Sequence, residues 1–271
     1  MTRFALEAWD SGRLTVNGAF VPLLQRHGWT TFNRIWEETA NAAIAKNLRT
    51  DRVTLSFSLN DEGSERKFYI KRHSRSSWKE YVKPLLRLTW PILGARNEWN
   101  AILAFHAARI PTMVPVALGE SGSNSFLVTE SLENCEKLSR RFAVDSEWPV
   151  TPPERTQILR NVARLARQMH SEGMHHQDFY LGHLMQSRSQ PELIHIIDLG
   201  RVQRQRPLAQ RWIVKDLAQL NFSAATASTR ERLQFLKGYL DRPLKSSDRR
   251  LISQIESKTA SIARHSRKNK L

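Results

Sequence analysis

Cysteine is all but missing from this sequence. Cys135 stands alone, which excludes an intramolecular disulfide and suits a reducing compartment. A single thiol of this kind reads as an ordinary buried side chain rather than a nucleophile. Long apolar runs are missing as well. None approaches the roughly 18 residues of a membrane-spanning helix, and Met1 to Gly18 holds no apolar core long enough for a signal peptide, so neither is expected. There is no internal repeat, no low-complexity segment, no zinc-finger spacing and no RNA-recognition signature. Acidic residues are few beside basic ones: 26 Asp and Glu against 42 Lys and Arg, a net charge of +16. What remains is the composition of a folded chain. Forty per cent hydrophobic residues and eight tryptophans in 271 residues allow one domain with a sizeable core.

Two short motifs stand out in the second half. His176-Gln177-Asp178 is followed five residues past the aspartate by His183, and twenty past it by Asp198-Leu199-Gly200. Either motif alone is common; their order and flanks give them weight. Residues His183 to Gln186 and Leu193 to Ile197 read as short strands, and Ser187 to Pro191 between them is rich in turn formers. That places the two aspartates at the ends of one hairpin. Upstream, Thr151 is a good N-cap, Pro152 suits the first helical position and Glu154 completes a capping box. Ile158, Val162, Leu165 and Met169 repeat at helical spacing, and Gly173 supplies the stop. The pattern predicts a buried helix running into the His176 loop. Phosphoryl transfer needs one carboxylate to orient the acceptor hydroxyl and take its proton, and another to hold the metal that neutralises the phosphates. Protein kinases carry these on H-R-D-x-x-x-x-N and D-F-G, and the two motifs resemble that pair.

The first half offers a partner for such chemistry. Val53 to Leu59 alternates apolar and polar residues, Asn60 to Ser64 reads as a turn, and Lys67 to His73 as the returning strand. Phe68 and Ile70 share one face, so Lys71 lies on the other. An exposed strand lysine would fit equally until Glu98 is considered. Glu98 shares a helical face with Ile102 and Phe105 in the stretch Ala95 to Phe105. A carboxylate on a core-facing stripe needs a cation, and Lys71 can supply it. Pro111 is expected to end this helix. Val114 to Leu118 and Phe126 to Glu130 then read as two strands, with Glu130-Ser131-Leu132 at a hinge.

Together these residues resemble the lipopolysaccharide kinases of the Kdo/WaaP family, whose catalytic loop runs H-x-D-x-Y-x-x-H; here it is His176-Gln177-Asp178-Phe179-Tyr180-Leu181-Gly182-His183. The likeness extends to Tyr69–His73, Lys83-Pro84-Leu85-Leu86-Arg87, Glu98, Ile197–Arg201 and Arg211–Leu217, over roughly residues 65 to 223. It implies an α+β, two-lobed protein-kinase-like fold. A strand-rich N-lobe would span about residues 29–130 and a helical C-lobe about 131–257, with 1–28 and 258–271 as appendages. It implies that Lys71 contacts nucleotide phosphates, Glu98 positions Lys71, Asp178 is the catalytic carboxylate, and His183 and Asp198 sit at the metal. Asp216 would anchor the catalytic loop from a following helix. The expected reaction is transfer from ATP, with Mg²⁺ or Mn²⁺, to a heptose or Kdo hydroxyl of the lipopolysaccharide inner core, on the cytoplasmic side of the inner membrane. One departure is plain. No G-x-G-x-x-G precedes Lys71, and Glu38 to Asn47, where a phosphate-covering loop is expected, holds no glycine.

The charge calls for a partner. Lys71, Arg72, Arg75, Lys79, Lys83, Arg87 and Arg96 form a basic stretch interleaved with Trp78, Tyr81 and Trp90, and Arg264 to Lys270 is a second cluster. An anionic membrane or acidic glycolipid would attract both, as would nucleic acid; a solvated surface needs neither. The kinase motifs favour glycolipid and a peripheral membrane contact over nucleic acid. The rival functions are a kinase of another small molecule or of protein, and an idle kinase fold serving as a scaffold for acidic lipid or nucleic acid. The retained Lys71, Glu98, Asp178 and Asp198 argue against idleness.

Overall fold

The computed structural model describes residues 4–39, 42–49, 52–74 and 94–268. Arg75, Lys79, Lys83 and Arg87, with Trp78, Tyr81 and Trp90 among them, lie outside the described residues. Two compact units divide the chain: Met1–Ala107 with Met113–Leu132, and Ala108–Thr112 with Glu133–Leu271. The division after Leu132 falls where the sequence suggests a hinge.

The first unit is built on an antiparallel sheet of β1 (Leu6–Trp9), β2 (Leu14–Asn17), β3 (Ala43–Arg49), β4 (Arg52–Asp61), β5 (Ser64–His73), β6 (Pro115–Ser121) and β7 (Asn124–Glu130). Their order is β1-β2-β6-β7-β5-β4-β3. Alternation along β4 and β5 buries Leu55, Leu59, Phe68 and Ile70, and the turn between them narrows to Glu62-Gly63, with Asp61 opposite Ser64. Helices α1 (Val21–Arg26), α2 (Phe32–Glu38) and α3 (Arg96–Ala107) complete the unit. Phe32 of α2 stacks on Phe126 at 5.2 Å, and Phe126 in turn covers Gly119, its partner across β6 and β7. A Cβ at Gly119 would lie 2.3 Å from the Phe126 ring, so only glycine fits there. Helix α3 stops at Ala107, short of Pro111, where Arg109 takes φ +57°.

Two expectations are corrected here. Residues 4–28 are no appendage. Strand β2 pairs with β6, Asn17 Nδ2 donates to Pro115 O at 2.8 Å, and Leu14, Val16, Phe20, Leu23 and Leu24 lie in the same core as Phe68 and Ile70. The N-terminal hairpin covers an edge of β6 that would otherwise leave its backbone groups unpaired. In Glu38–Asn47, Ala43 to Asn47 is strand, held to β4 by pairing interrupted at two bulges. The β3–β4 connection falls instead at residues 50–51, outside the described residues.

The second unit contains β8 (Cys135–Lys137), α4 (Leu138–Arg141), α5 (Pro152–Ser171), β9 (Met174–His175), β10 (Leu184–Ser187), β11 (Ile194–Ile196), β12 (Gln203–Arg204), α6 (Gln210–Ser223), α7 (Thr229–Leu240) and α8 (Arg249–Lys268). The Glu154 carboxylate accepts from the Thr151 N–H at 2.9 Å and its hydroxyl at 2.7 Å, fixing the start of α5. Ile158, Val162, Leu165 and Met169 of α5 are buried. Strands β10 and β11 form the expected hairpin, with β8 on the far side of β10. The tail past Ser257 is also no appendage. It continues α8, whose Thr259 Oγ1 accepts from Asn221 Nδ2 of α6 at 3.0 Å, while Ile252, Ile255 and Ile262 are partly buried. An apolar cavity of about 230 Å³ opens among these helices, lined by Ile158, Val162, Leu217, Leu220, Leu236 and Ile255. No helix of the described residues is long and apolar enough to cross a membrane.

Candidate active site

Helix α5 delivers the chain to the motif loop through Gly173, whose φ of +75° turns it out of the helix. A Cβ there would meet Gln205 O at 2.6 Å, so a larger residue would disturb the β9–β12 pairing beside it. The loop that follows is held from α6. The Asp216 carboxylate, with no exposed surface, accepts from the backbone N–H of His176 at 2.6 Å and of Gln177 at 2.8 Å. Gln219, one turn on, accepts from Phe179 N at 3.1 Å and donates to Gln177 O at 2.6 Å. Ser223, a further turn along, accepts from Leu181 N at 2.9 Å. Behind them the His170 Nε2 stands 3.4 Å from Asp216 Oδ2, and its Nδ1 2.9 Å from the Tyr239 hydroxyl. Burial raises the Tyr239 phenol far above its ordinary value, so Tyr239 donates to Nδ1 and His170 donates to Asp216. Burial opposes the charge on Asp216, but the bonds from His170 and the His176 amide outweigh it and hold the carboxyl below its usual range.

His176 ties this loop to the second motif. It is fully buried, and desolvation lowers its pKa and keeps the ring neutral. A neutral ring with one donor and one acceptor matches its surroundings. Nε2 lies 3.0 Å from the carbonyl of Ile197, to which it donates, and Nδ1 accepts from Asp178 N at 3.3 Å. Asp178 and Asp198 are thus carried by one clamped piece of backbone. Within it His183 Nδ1 donates to Asp178 O at 2.7 Å, leaving Nε2 3.5 Å from Asp198 Oδ2. That is the arrangement of a metal-ligating imidazole, whose other nitrogen is fixed by a carbonyl. Asp198 takes φ +61° and Gln177 φ +69°, conformations costly for side-chain-bearing residues and concentrated at functional sites. No cluster of three or more His, Cys, Asp or Glu forms a metal cage among the described residues. A hard cation here would complete its shell with phosphate oxygens and water.

The first unit holds the other candidate pair. Lys71 Nζ donates to Glu98 Oε1 at 2.6 Å. Glu98 is buried beside Ile102 and Phe105 on α3, and Ser125 fixes the start of that helix by accepting from Ala95 N at 3.0 Å. Three participants escape sequence reasoning. Gln219 and Ser223 lie three and seven residues after Asp216, and that helical spacing was the signal available. Arg201 closes the Ile197–Arg201 motif, and its Nη1 donates to both Asp178 oxygens at 3.0 and 3.1 Å, a contact that spacing does not signal.

The lipopolysaccharide kinase (Kdo/WaaP) family model matches residues 34–239, a wider span than the motifs alone carry. The chain is 34% identical over 243 residues to the lipopolysaccharide core heptose(I) kinase WaaP of Escherichia coli, covering 83% of this chain and 89% of that protein. It is 36% identical over 202 residues to the Pseudomonas aeruginosa protein of the same description, covering 69% and 74%. A solved structure, WaaP in complex with acyl carrier protein, superposes with a TM-score of 0.70 at 30% identity, over 92% of this chain and 98% of that one. The chain belongs to the lipopolysaccharide kinase (Kdo/WaaP) family, and its fold is the kinase-like α+β fold that the motifs imply.

Replacing Asp216 by Asn puts an amide donor against backbone donors. Loosening the loop by even 1 Å is expected to lower kcat by about 10²-fold. Because its folded pKa is depressed, Asp216 stabilises the fold above the ordinary aspartate value of about 3.9. That contribution is lost as pH falls through the lower folded value. Melting temperature followed from about pH 6 to about pH 2 should therefore drop more steeply below pH ~4 in the wild type than in Asp216→Asn. Parallel curves would remove Asp216 from this role.

Proposed function

We propose that this member of the family is an ATP-dependent kinase that phosphorylates a sugar hydroxyl of the lipopolysaccharide inner core, a heptose before Kdo. The Escherichia coli and Pseudomonas aeruginosa relatives are both described as heptose(I) kinases. The observation that carries the reading is the single clamped element holding Asp178 beside the His183–Asp198 pair. Asp178 orients the acceptor hydroxyl and receives its proton. His183 and Asp198 hold the divalent metal, Mg²⁺ by preference since the remaining ligands are oxygens, with Mn²⁺ suited to the imidazole. Lys71, steadied by Glu98, contacts the phosphates. ATP supplies the phosphoryl group when bound. Asp178→Asn should lower kcat by about 10²–10⁴-fold, the usual worth of a positioned base, while ATP still raises the melting temperature. Asp198→Ala should abolish the metal-dependent part of that rise. Near-normal turnover in the first variant, or an unchanged metal effect in the second, contradicts the assignment.

The acceptor is an anionic glycolipid, and we place the enzyme peripherally on the inner face of the inner membrane. The charge supports this. Helix α8 exposes Arg249, Arg250, Lys258, Arg264, Arg267 and Lys268 with only Glu256 among the acids, and basic residues near an anionic surface contribute about 1 kcal/mol each. The purified protein should sediment with vesicles containing anionic lipid, less so as salt rises. Changing Arg264, Arg267 and Lys268 to Gln should release it. Undiminished binding at high salt, or binding only to nucleic acid, counts against this placement.

A second partner is an acyl carrier protein, the companion named in the solved relative. The apolar cavity lined by Val162 and Leu236 suits the acyl chain of such a carrier. An acylated carrier protein should then bind at least about tenfold more tightly than an unacylated one, roughly the transfer energy of two buried methylenes. Filling the cavity with Val162→Trp should erase the difference. Equal affinity for both forms in the wild type would assign the cavity no such role.

A further inference from the structure

Two cations stand beside the catalytic loop with donors to spare. Arg201 bonds both Asp178 oxygens through Nη1 alone, and its side chain is 54% exposed. Its Nε and Nη2, the edge suited to bidentate pairing with an oxyanion, have no protein acceptor among the described residues. Lys215 Nζ donates to one neutral acceptor, Gln177 Oε1, at 3.2 Å, and lies 5.4 Å from the centre of the Trp212 ring. No carboxylate pairs with it among the described residues. Burial lowers its pKa and the neighbouring Arg201 charge adds to that, while the nearby Asp178 and Asp216 carboxylates pull the other way without outweighing burial.

Gln177 joins the two. The same side-chain amide accepts from Lys215 and, through Nε2, donates to Arg201 O at 2.9 Å. Its backbone is pinned in the left-handed region by Asp216. A half-buried ammonium whose one hydrogen-bond acceptor among the described residues is a neutral amide is incompletely solvated, and strained, over-determined geometry of this kind is retained where a ligand uses it.

We propose that Arg201 and Lys215 form an oxyanion subsite that seats an acidic group of the acceptor, a carboxylate or a phosphate monoester, next to the hydroxyl that Asp178 orients. The inference rests on the kinase reading and names the acceptor class for it: an anionic sugar. The acceptor is favoured over the nucleotide for two reasons. His183 and Asp198 already provide the metal that neutralises the nucleotide phosphates, whereas Arg201 is bonded to Asp178, the group that meets the acceptor. Arg201 can keep Nη1 on Asp178 while its free edge grips the second anion.

The test uses the full chain, ATP and lipopolysaccharide core oligosaccharide from cells lacking this kinase, so that the acceptor hydroxyl is free, in three forms: unmodified, methyl-esterified at its carboxylates, and stripped of its remaining phosphates. In the wild type, one neutralised form should lose about 10- to 100-fold in kcat/KM, the worth of a charged hydrogen bond. Which form suffers tells carboxylate from phosphate. In Arg201→Gln and in Lys215→Gln that penalty should shrink to about threefold or less, and Lys215→Arg, which keeps the charge, should preserve it. If the penalty is the same in the wild type and both Gln variants, the cations serve the nucleotide or the fold and the subsite is refuted. A wild type indifferent to both modifications refutes it too. Transfer to none of the three forms instead overturns the core-kinase reading, and the subsite with it.

Discussion

A carboxylate taken out of water must be surrounded by donors, because an unpaired buried charge costs several kcal/mol. Asp216 meets that demand with the backbone of the loop that carries His176 and Asp178. Its oxygens are satisfied by the amides of His176 and Gln177 and by His170, so the loop has one low-energy position relative to α6. Gln219 and Ser223 repeat the logic along the same helix face. The neutral His176 then passes the constraint to the end of β11 by bonding Ile197. Asp178, His183 and Asp198 take their backbone positions from this chain of bonds, and their own contacts, His183 to the Asp178 carbonyl and Arg201 to the Asp178 carboxylate among them, then orient the side chains.

The first unit solves a similar problem with opposite means. Glu98 is buried on an apolar helix face, and its partner is a side-chain ammonium rather than backbone amides. A lysine on a strand can release one oxyanion for another, which is what a phosphate contact requires. The backbone donors around Asp216 cannot, which is what a scaffold requires.

Much of this was legible in the sequence because it is local. The α5 capping box, the β10–β11 hairpin and the β4–β5 hairpin each depend on residues within about twenty positions, where periodicity and turn chemistry act. Glu98 announced its need for a cation by sitting on a core-facing stripe. What failed was long-range or unpatterned. Residues 4–28 looked dispensable because their partner, β6, lies far along the chain. The kinase resemblance puts a phosphate-covering loop within Glu38 to Asn47, and nothing local in the sequence marks Ala43 to Asn47 as the strand that pairs with β4. The Arg201–Asp178 bond was invisible because both residues already had a meaning as motif positions, and spacing says nothing of side-chain reach.

The stitching of β2 to β6 has a consequence for how the protein is made. Asn17 bonds the carbonyl of Pro115, 98 residues later. At synthesis rates of roughly 5–20 residues per second, Leu14 and Val16 must wait on the order of ten seconds before their sheet neighbour leaves the ribosome. Throughout that interval the hairpin offers an unpaired apolar edge. The hairpin is thus among the last parts of its unit to be sheltered, because the strand that pairs with it is made 98 residues after it.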